Sequence, residues 1–375
     1  LAVLFPEGAE GWGAEVQRRL SAAMGRVPFV TVAAPMLLRQ IDARGPADLA
    51  RALGPGFALD ISGSGSGAAC RMDGLLFDTA TGNTIWSFET PRFDPEADLA
   101  EVLRDLVVRL EPQVVRATHA ALSGKALPSD PRALTMQALG TLSLKGWNRV
   151  AFSEAEALLR QAVAVDEQLP FAWAALSLIT ALGQEVGLAE PEPARRAEAI
   201  GYADRAVDLD GMSPMILGFE GCALCDAGQP LRGKTLLERA LELDAGNPQA
   251  MAALGTQLLR EGEVDRGVPL LAEAIASSAR DTKLAVWRSV LAMAYLGMER
   301  LDDALEEARL AVAADDQTHL PRVVLTLVLL MTGDTSKAVA AWQDALRVTP
   351  DLVPNEMAGL IGRRGVEALS ALSAE

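Results

Sequence analysis

The sequence between Pro214 and Pro350 repeats with a period of 34 residues. Like residues recur in pairs at this distance: Gly228 and Gly262, Leu237 and Leu271, Ala240 and Ala274. After a shift of three residues the distance returns in a second set: Ala304, Ala308 and Ala311, then Ala338, Trp342 and Ala345. A fixed period of this length constrains the fold strongly, because it requires one small structural unit to stack on copies of itself.

Each repeat is predicted to contain two amphipathic helices. Pro214 and Pro248 share one phase of the period, and each would begin a helix where the missing N–H loses no hydrogen bond. Gly228, Gly262 and Gly333 would end that helix in a left-handed or tight turn. One helix pair cannot bury its own apolar face, so successive pairs are expected to stack into a right-handed solenoid.

The period continues toward the amino terminus with lower fidelity. The earlier helices are predicted at 132–145, around Ala155, Leu159 and Ala162, at 170–182 and at 194–209, with the Pro-rich insertion 189–193 between the last two. This makes about six helix pairs over residues 131–350, more than the three or so that a solenoid needs. A helix at 355–369, within residues 354–375, is predicted to cap the array.

This period, with small residues where paired helices must cross closely, resembles the tetratricopeptide repeat in a degenerate form. Leu and Met replace most of the tryptophan and tyrosine residues that are usual in that family, although Tyr295 is retained. The resemblance implies an all-α helical solenoid with a concave groove.

The first 125 residues have a different pattern, in which strands alternate with helices. The predicted strands are 1–5, 29–32, 57–61, 70–77 and 84–89, and the predicted helices are 10–24, 35–41, 47–53 and 95–122. The turn-forming run Asp78–Asn83 joins the last two strands as a hairpin. The predicted fold class is therefore a small α/β sheet domain over residues 1–125, followed by the all-α solenoid.

Four stretches of this first part, Leu1–Phe5, Asp60–Gly63, Leu76–Gly82 and Trp86, resemble the TolB-type amino-terminal α/β domain. That domain precedes tetratricopeptide repeats in bacterial one-component regulators and in class III adenylate cyclases. The resemblance implies a bacterial transcription regulator whose winged-helix DNA-binding domain lies upstream. The regulatory half of an adenylate or guanylate cyclase is the alternative, and a free-standing repeat scaffold is a third. Because the chain begins inside a predicted strand and without Met, we expect it to be part of a longer protein.

Composition limits the partners of this segment. The formal net charge is −16, and phosphate contacts need clustered Lys and Arg, so neither nucleic acid nor an anionic membrane surface is an expected partner. The three cysteines are few and odd in number, which favours a reducing compartment, and we expect a cytoplasmic protein. No apolar run reaches the length of a membrane-spanning helix.

Two motifs could carry chemistry. The run Gly63–Gly67 is rich in glycine, as a phosphate-binding loop is, but a strand follows it and no Lys is near, so a flexible hairpin turn is favoured. Cys222 and Cys225 have the spacing of half a zinc site or of a redox pair. Zinc needs four ligands, and Cys is also a common small hydrophobe inside helices, so a structural role is favoured while accessible thiols remain the alternative.

No catalytic constellation is present in the sequence. His119 and His319 are isolated from suitable partners, and the serines near Gly63 lack the strand–turn–helix setting of a nucleophile elbow. We therefore predict a segment without enzymatic activity, cofactor or metal.

The period also predicts which residues face the concave groove. The predicted partner-binding residues are Met215, Cys222, Cys225, Gln249, Thr256, Leu259, Arg260, Ser289, Met293, Leu296, Val323, Leu327 and Leu330. This groove is mostly apolar and nearly uncharged, and is expected to bind a helix of a protein partner, the chain's own α/β domain or a second copy. An internally filled solenoid without a ligand is the alternative. The function predicted from sequence is a sensor and protein-interaction module of a bacterial signalling protein.

Overall fold

The computed structural model describes residues 1–4, 12–24, 32–34, 38, 46–53, 56–65, 69–122, 130–189, 192–277, 283–315 and 317–374. These form two compact units, Leu1–Ala121 and Leu122–Glu375, and each is described by itself. Several sequence predictions fall outside the described residues: most of the strand at 29–32 and of the helix at 35–41, the end of the glycine run, and the centre of the Pro-rich insertion.

The first unit contains a four-stranded sheet in the order β1-β2-β3-β4. Its strands are β1 (Ala2–Val3), β2 (Phe57–Ser64), β3 (Arg71–Asp78) and β4 (Thr84–Glu89). β1 runs parallel to β2, whereas β2, β3 and β4 pair antiparallel. The helices formed by the described residues of this unit are α1 (Gly13–Met24), α2 (Pro46–Leu53) and α3 (Leu99–Leu122).

One face of the sheet is buried because apolar residues alternate with polar ones along the strands. Met72 and Leu76 of β3 are fully buried, and they share a core with Leu20 of α1 and with Leu106 and Leu110 of α3. Burying each such side chain contributes roughly 1.5–3 kcal/mol. The small α/β sheet unit expected from the sequence is thus confirmed.

The predicted hairpin between β3 and β4 is also confirmed. The Asp78 carboxylate accepts the backbone N–H groups of Ala80 and Thr81, both at 2.8 Å, and Gly82 has a φ of 73°. The glycine run differs from its prediction, because Gly63 and Ser64 belong to β2 and pair with Met72 and Arg71. Within the described part of that run, only Gly65, with a φ of 96°, lies beyond the strand.

The second unit contains six helix pairs in the part of the chain that the structure describes. They are α4 (Pro131–Lys145) with α5 (Arg149–Val165), α6 (Pro170–Glu185) with α7 (Pro193–Asp210), α8 (Pro214–Asp226) with α9 (Pro230–Leu243), α10 (Pro248–Arg260) with α11 (Val264–Ser277), α12 (Leu284–Gly297) with α13 (Leu301–Ala314), and α14 (His319–Met331) with α15 (Thr335–Val348). A short 3₁₀ helix (Pro354–Met357) and α16 (Ala358–Ala374) follow. The helical part of the predicted fold class is thereby confirmed, whereas the predicted domain bounds and the capping role of the last helix stay predictions.

Small residues stand where paired helices cross. Gly255 of α10 and Gly267 of α11 face each other, and a Cβ added to Gly267 would lie 2.9 Å from the Gly255 carbonyl oxygen. Gly221 and Gly233 form the same contact one period earlier. The alanines that mark the period, such as Ala304, are also fully buried.

The ends of the helical array contact each other. The backbone N–H of Trp147, after α4, donates to the Thr318 hydroxyl at 3.1 Å across 171 residues of sequence. His319 of α14 lies 2.9 Å from the carbonyl oxygen of Val186, at the end of α6. Arg149 of α5 forms an ion pair with Glu356 in the 3₁₀ helix. The first two helix pairs therefore meet the last pair and the C-terminal segment, which encloses the inner side of the solenoid.

Among the described residues, no helix has both the length and the apolar character needed to cross a membrane.

Candidate functional site: the inner pocket of the solenoid

A pocket of about 620 Å³, a volume that includes its opening to solvent, lies on the inner side of the solenoid. Its walls come from the first helices of four successive pairs and from one C-terminal residue. The lining residues are Leu182, Glu185, Val186, Cys222, Cys225, Asp226, Gln249, Ala252, Ala253, Thr256, Arg260, Lys283, Val286, Trp287, Val290 and Leu360. None belongs to the second helix of a pair. We call this site the inner pocket.

The structure brings five of the thirteen predicted groove residues together in the inner pocket: Cys222, Cys225, Gln249, Thr256 and Arg260. They come from α8 and α10, where the period is clearest, because a faithful repeat predicts the facing side of a helix well. Their assignment to a partner-binding surface stays a prediction.

Other predicted groove residues pack inside the solenoid. Leu259 contacts Gly267 of its own helix pair, and Leu330 packs against the cluster that contains Ala338. The Ser289 hydroxyl is buried and donates to the Ala285 carbonyl oxygen at 2.7 Å. Leu259 and Leu330 therefore stabilise the contact between paired helices, whereas the Ser289 hydroxyl is satisfied within its own helix. Met215, Met293 and Leu296 are partly buried and do not line the inner pocket.

Two further predicted groove residues, Val323 and Leu327, are buried. Val323 is fully buried and Leu327 is 5% exposed, because the C-terminal helix covers this end of the array. A Cβ added to Gly365 of α16 would lie 3.3 Å from Leu327 Cδ1. A charge at position 327 would therefore destabilise the fold.

The expectation of a nearly uncharged groove is also wrong for the inner pocket. Arg260 donates to the Asp226 carboxylate at 2.8 Å and lies 3.4 Å from the Glu185 carboxylate. Burial disfavours the charged guanidinium, but the attraction of Asp226 and Glu185 outweighs it and raises the pKa of Arg260. Burial, and then the nearby Asp226, raise the pKa of Glu185 above its ordinary value.

Lys283 contributes a second positive charge. Its ammonium lies 5.6 Å from the ring centre of Phe219 and 5.5 Å from that of Trp287, so it is attracted to two aromatic faces. Two acidic and two basic side chains thus line the inner pocket, and their formal charges sum to zero. Such a site favours an uncharged group over an ion.

The two cysteines are poorly suited to nucleophilic chemistry. Burial, followed by repulsion from Asp226, raises the pKa of Cys225 to about 12 and the pKa of Cys222 well above its ordinary value. Only the thiolate is a strong nucleophile or metal ligand, so both groups are protonated at neutral pH. The Cys222 thiol points to the Asp226 carboxylate at 3.8 Å. Across the described ranges, no cluster of His, Cys, Asp or Glu could hold a metal ion.

Gln249 is a polar residue of the inner pocket with a hydrogen-bond acceptor that is unsatisfied among the described residues. Its side chain is 7% exposed, and its Oε1 has no hydrogen-bond partner within the described part of the protein. Nearby, the Thr256 hydroxyl donates to the Ala252 carbonyl oxygen at 2.8 Å. A buried amide oxygen without a partner costs about 1–3 kcal/mol, so a ligand N–H that reached Oε1 would recover that free energy.

Two groups of residues that line the inner pocket were not predicted from the sequence. Leu182, Glu185 and Val186 lie in the pair where the period is weakest. Leu360 belongs to the predicted capping helix, and no periodic signal could place it in the pocket. The two histidines remain unassigned: His319 is a buried contact between helix ends, and the side chain of His119 lies outside the described residues.

No protein-family model matches the chain, and no curated protein matches it in sequence. Solved structures do resemble it. A monomeric IFIT1 mutant with Gppp-AAAA matches with a TM-score of 0.51 and 16% identity over 70% of this chain and 59% of that one. The human IFIT1 dimer with m7Gppp-AAAA matches with a TM-score of 0.50 and 17% identity over 67% and 57%. The bound molecules printed in those names are ligands of IFIT1, and nothing about this chain is concluded from them.

A third structure, YrrB, described as a TPR protein with an unusual peptide-binding site, matches with a TM-score of 0.33 and 18% identity over 52% of this chain and 93% of that one. The chain spans less than two thirds of the length of the IFIT1 structures. At sequence identities of 16–17%, the similarity to the IFIT1 structures shows a shared fold and does not show a shared function. The helical unit has the fold of a tetratricopeptide-repeat solenoid and is preceded by a small four-stranded sheet unit.

Proposed function

We propose that this chain is a non-enzymatic protein-interaction module that binds a peptide segment of a partner in the inner pocket. The observation that carries the proposal is the buried Gln249 amide, whose oxygen lacks a partner among the described residues of a pocket that also has apolar lining residues. An amide side chain can pair with the amide groups of a peptide backbone. Val286 and Trp287 provide apolar surface beside it for a ligand side chain.

The charges of the inner pocket narrow the class of ligand. Arg260 forms ion pairs with Asp226 and Glu185. The Lys283 ammonium makes cation–π contacts with two aromatic rings. A charged ligand group would have to be desolvated without gaining a free counter-ion, which is costly. The ligand that fits is a peptide that places a large aliphatic side chain in the pocket and pairs its backbone with Gln249.

A peptide display selection tests this function. Peptides selected on the wild-type chain are measured by fluorescence anisotropy against Gln249→Ala, with Gln343→Ala on the exposed side of α15 as the matched control. Loss of one buried hydrogen bond should weaken binding about tenfold in Gln249→Ala and leave Gln343→Ala unchanged. Peptides that bind all three proteins equally would show that the inner pocket is not the binding site.

The wider role we propose is the effector part of a bacterial one-component transcription regulator. Its support is the order of a small sheet unit followed by a helical solenoid, together with the hairpin residues Leu76–Gly82 and Trp86. A net charge of −16 disfavours DNA contact by this segment, so DNA binding would belong to another domain. Sequencing the coding region upstream of Leu1 tests this: a basic winged-helix domain is expected, and a cyclase catalytic domain would contradict it.

A further inference from the structure

The C-terminal segment enters the inner pocket. Leu360, the third residue of α16, lines the pocket beside residues of α6, α8, α10 and α12. The neighbouring Gly359 lies against the Glu185 carboxylate, and a Cβ added there would be 2.6 Å from Oε2. The four residues Ala358–Ile361, which we call the pocket turn, therefore cover part of the site that the proposed function assigns to a partner.

The pocket turn is held from both sides. Before it, Met357 is fully buried next to Gly187, where an added Cβ would lie 2.9 Å from Met357 Cγ. After it, Leu369 is fully buried and Gly365 packs on Leu327. These contacts keep the turn at the pocket, although only Leu360 reaches the pocket lining.

The pocket turn itself is a weak helix. Gly359, Gly362 and Gly365 fall within seven residues, and each Gly costs about 1 kcal/mol relative to Ala inside a helix. Gly362 has a φ of 67° and a ψ of 171°, which interrupts the helix between the turn and the remainder of α16. A short turn bounded by such a break can move while the rest of α16 stays in place.

We propose that the pocket turn is an intramolecular occupant of the inner pocket, which a partner peptide has to displace. This inference rests on the proposed function. Leu360 supplies the aliphatic side chain that a partner would supply, and Gly359 lies against the Glu185 carboxylate. The structure thus points to a partner segment that carries a large aliphatic residue.

Because the pocket turn is part of the same chain, it competes strongly with a free partner peptide for the inner pocket. Its effective concentration at the pocket is of the order of millimolar, so a free peptide of similar affinity binds the wild-type chain weakly. The apparent affinity of the partner is reduced by the fraction of molecules in which the turn is displaced. Release of the turn therefore regulates the site.

The first test measures whether the turn covers the pocket. Leu360→Asp places a carboxylate near Glu185 and Asp226 and should expel the turn, whereas Ala358→Asp changes an exposed side chain two residues earlier. The readout is the rate of thiol alkylation at Cys222 and Cys225, located by mass spectrometry, with Cys70 as the reference. Labelling in Leu360→Asp should be at least tenfold faster than in the wild type and in Ala358→Asp. Equal rates would overturn the inference.

The second test uses a fluorescent synthetic peptide that carries residues 352–369 of this chain. It should bind Leu360→Asp at least tenfold more tightly than the wild type, because the tethered turn no longer competes. Measurable binding of equal strength to both proteins would overturn the inference. Faster labelling without peptide binding would retain the turn as a cover of the pocket but reject the proposed function, so the two failures are distinguishable.

Circular dichroism and urea unfolding accompany both tests, and Leu360→Ala provides a milder change. A folded variant with an open pocket supports the inference. If both Leu360→Asp and Leu360→Ala unfold the solenoid, the turn belongs to the structural core and the inference is overturned.

Discussion

At the scale of single residues, Glu299 occupies a position that glycine fills in other repeats. Gly228, Gly262 and Gly333 close their loops with φ values between 81° and 86°, and Glu299 has a φ of 59°. The same two backbone hydrogen bonds close all four loops; in this one, the N–H groups of Glu299 and Arg300 donate to Leu296 and Tyr295. A side chain in this left-handed region costs about 1 kcal/mol, which glycine avoids.

Glu299→Gly is therefore expected to raise the free energy of unfolding by about 1 kcal/mol. Gly333→Ala, at a site where an added Cβ meets no atom within 4 Å, should lower it by a similar amount. Urea unfolding of the two variants measures whether the free energy of unfolding rises in the first and falls in the second. A destabilised Glu299→Gly would mean that the side chain makes a contact that outweighs the backbone strain.

Glu220 of α8 is a buried carboxyl group. It has no exposed surface, and both its oxygens lack hydrogen-bond partners among the described residues. The nearby Ser177 hydroxyl donates instead to the Ala199 carbonyl oxygen at 3.0 Å. Burial raises the pKa of Glu220 well above its ordinary value; Ser177 opposes this shift and Asp204 adds to it.

This shift predicts how Glu220→Gln changes stability with pH. Below the pKa of the unfolded state, Glu220 is protonated in both states and the variant should resemble the wild type. Above that pKa only the unfolded state ionises, so the wild type loses about 1.4 kcal/mol per pH unit up to the folded-state pKa. Glu220→Gln should thus be the more stable protein at pH 8, and chemical unfolding from pH 4 to 8 measures the difference. The exposed Glu238→Gln is the control, and a difference that did not grow with pH would contradict the interpretation.

At the scale of helices, the glycines at the crossing of α10 and α11 set how closely the two backbones approach. A Cβ added to Gly255 would lie 3.0 Å from both the Gly267 carbonyl oxygen and the Leu271 nitrogen. These neighbours are backbone atoms of a packed helix and cannot move independently. The crossing thus requires a residue without a side chain, although glycine is a poor helix former.

Gly255→Ala is expected to destabilise the protein by about 1–3 kcal/mol, because overpacking exceeds the gain in helix propensity. Gly201→Ala in α7, where an added Cβ would meet no atom within 4 Å, should stabilise it by up to about 1 kcal/mol. Thermal and urea unfolding of the two variants compare the same substitution at the two sites. Stabilisation by both would show that α10 and α11 are further apart than described.

At the scale of the whole helical unit, His319 joins distant helix ends. Its Nε2–H donates to the Val186 carbonyl oxygen at 2.9 Å, and its Nδ1 accepts from the Thr349 hydroxyl at 3.2 Å. Burial lowers the pKa of His319 to about 4, although the bond to Val186 opposes the shift. Nearby Arg149 lowers the pKa further. The contact between the second and sixth helix pairs therefore uses a neutral imidazole.

The sign of the resulting pH dependence follows from linkage. A histidine whose pKa is lowered on folding stabilises fully above its unfolded pKa of about 6.5, and the stability falls as the pH drops toward 4. Between pH 7 and pH 5 this amounts to about 2 kcal/mol. Urea unfolding of the wild type and of His319→Asn over this range should show a steep loss only in the wild type. Parallel curves would exclude His319 as the source.

The sequence by itself determined the helical repeat, the six pairs, the turns at Gly228, Gly262 and Gly333, and the hairpin that ends at Gly82. These features depend on local backbone preference and on a period that neighbouring units share, so nearby residues specify them. Five of the seven predicted groove residues of α8 and α10 gather in the inner pocket for the same reason.

Only the tertiary structure decided what completes the inner pocket. The closure of the array joins residues as far apart as Trp147 and Thr318, and the pocket turn brings Leu360 to a site built mainly by α8 and α10. The period describes each helix relative to its neighbours, whereas these contacts depend on the summed curvature of all six pairs. Small rotations per repeat accumulate along a solenoid, so the position of its last residues is a property of the whole array.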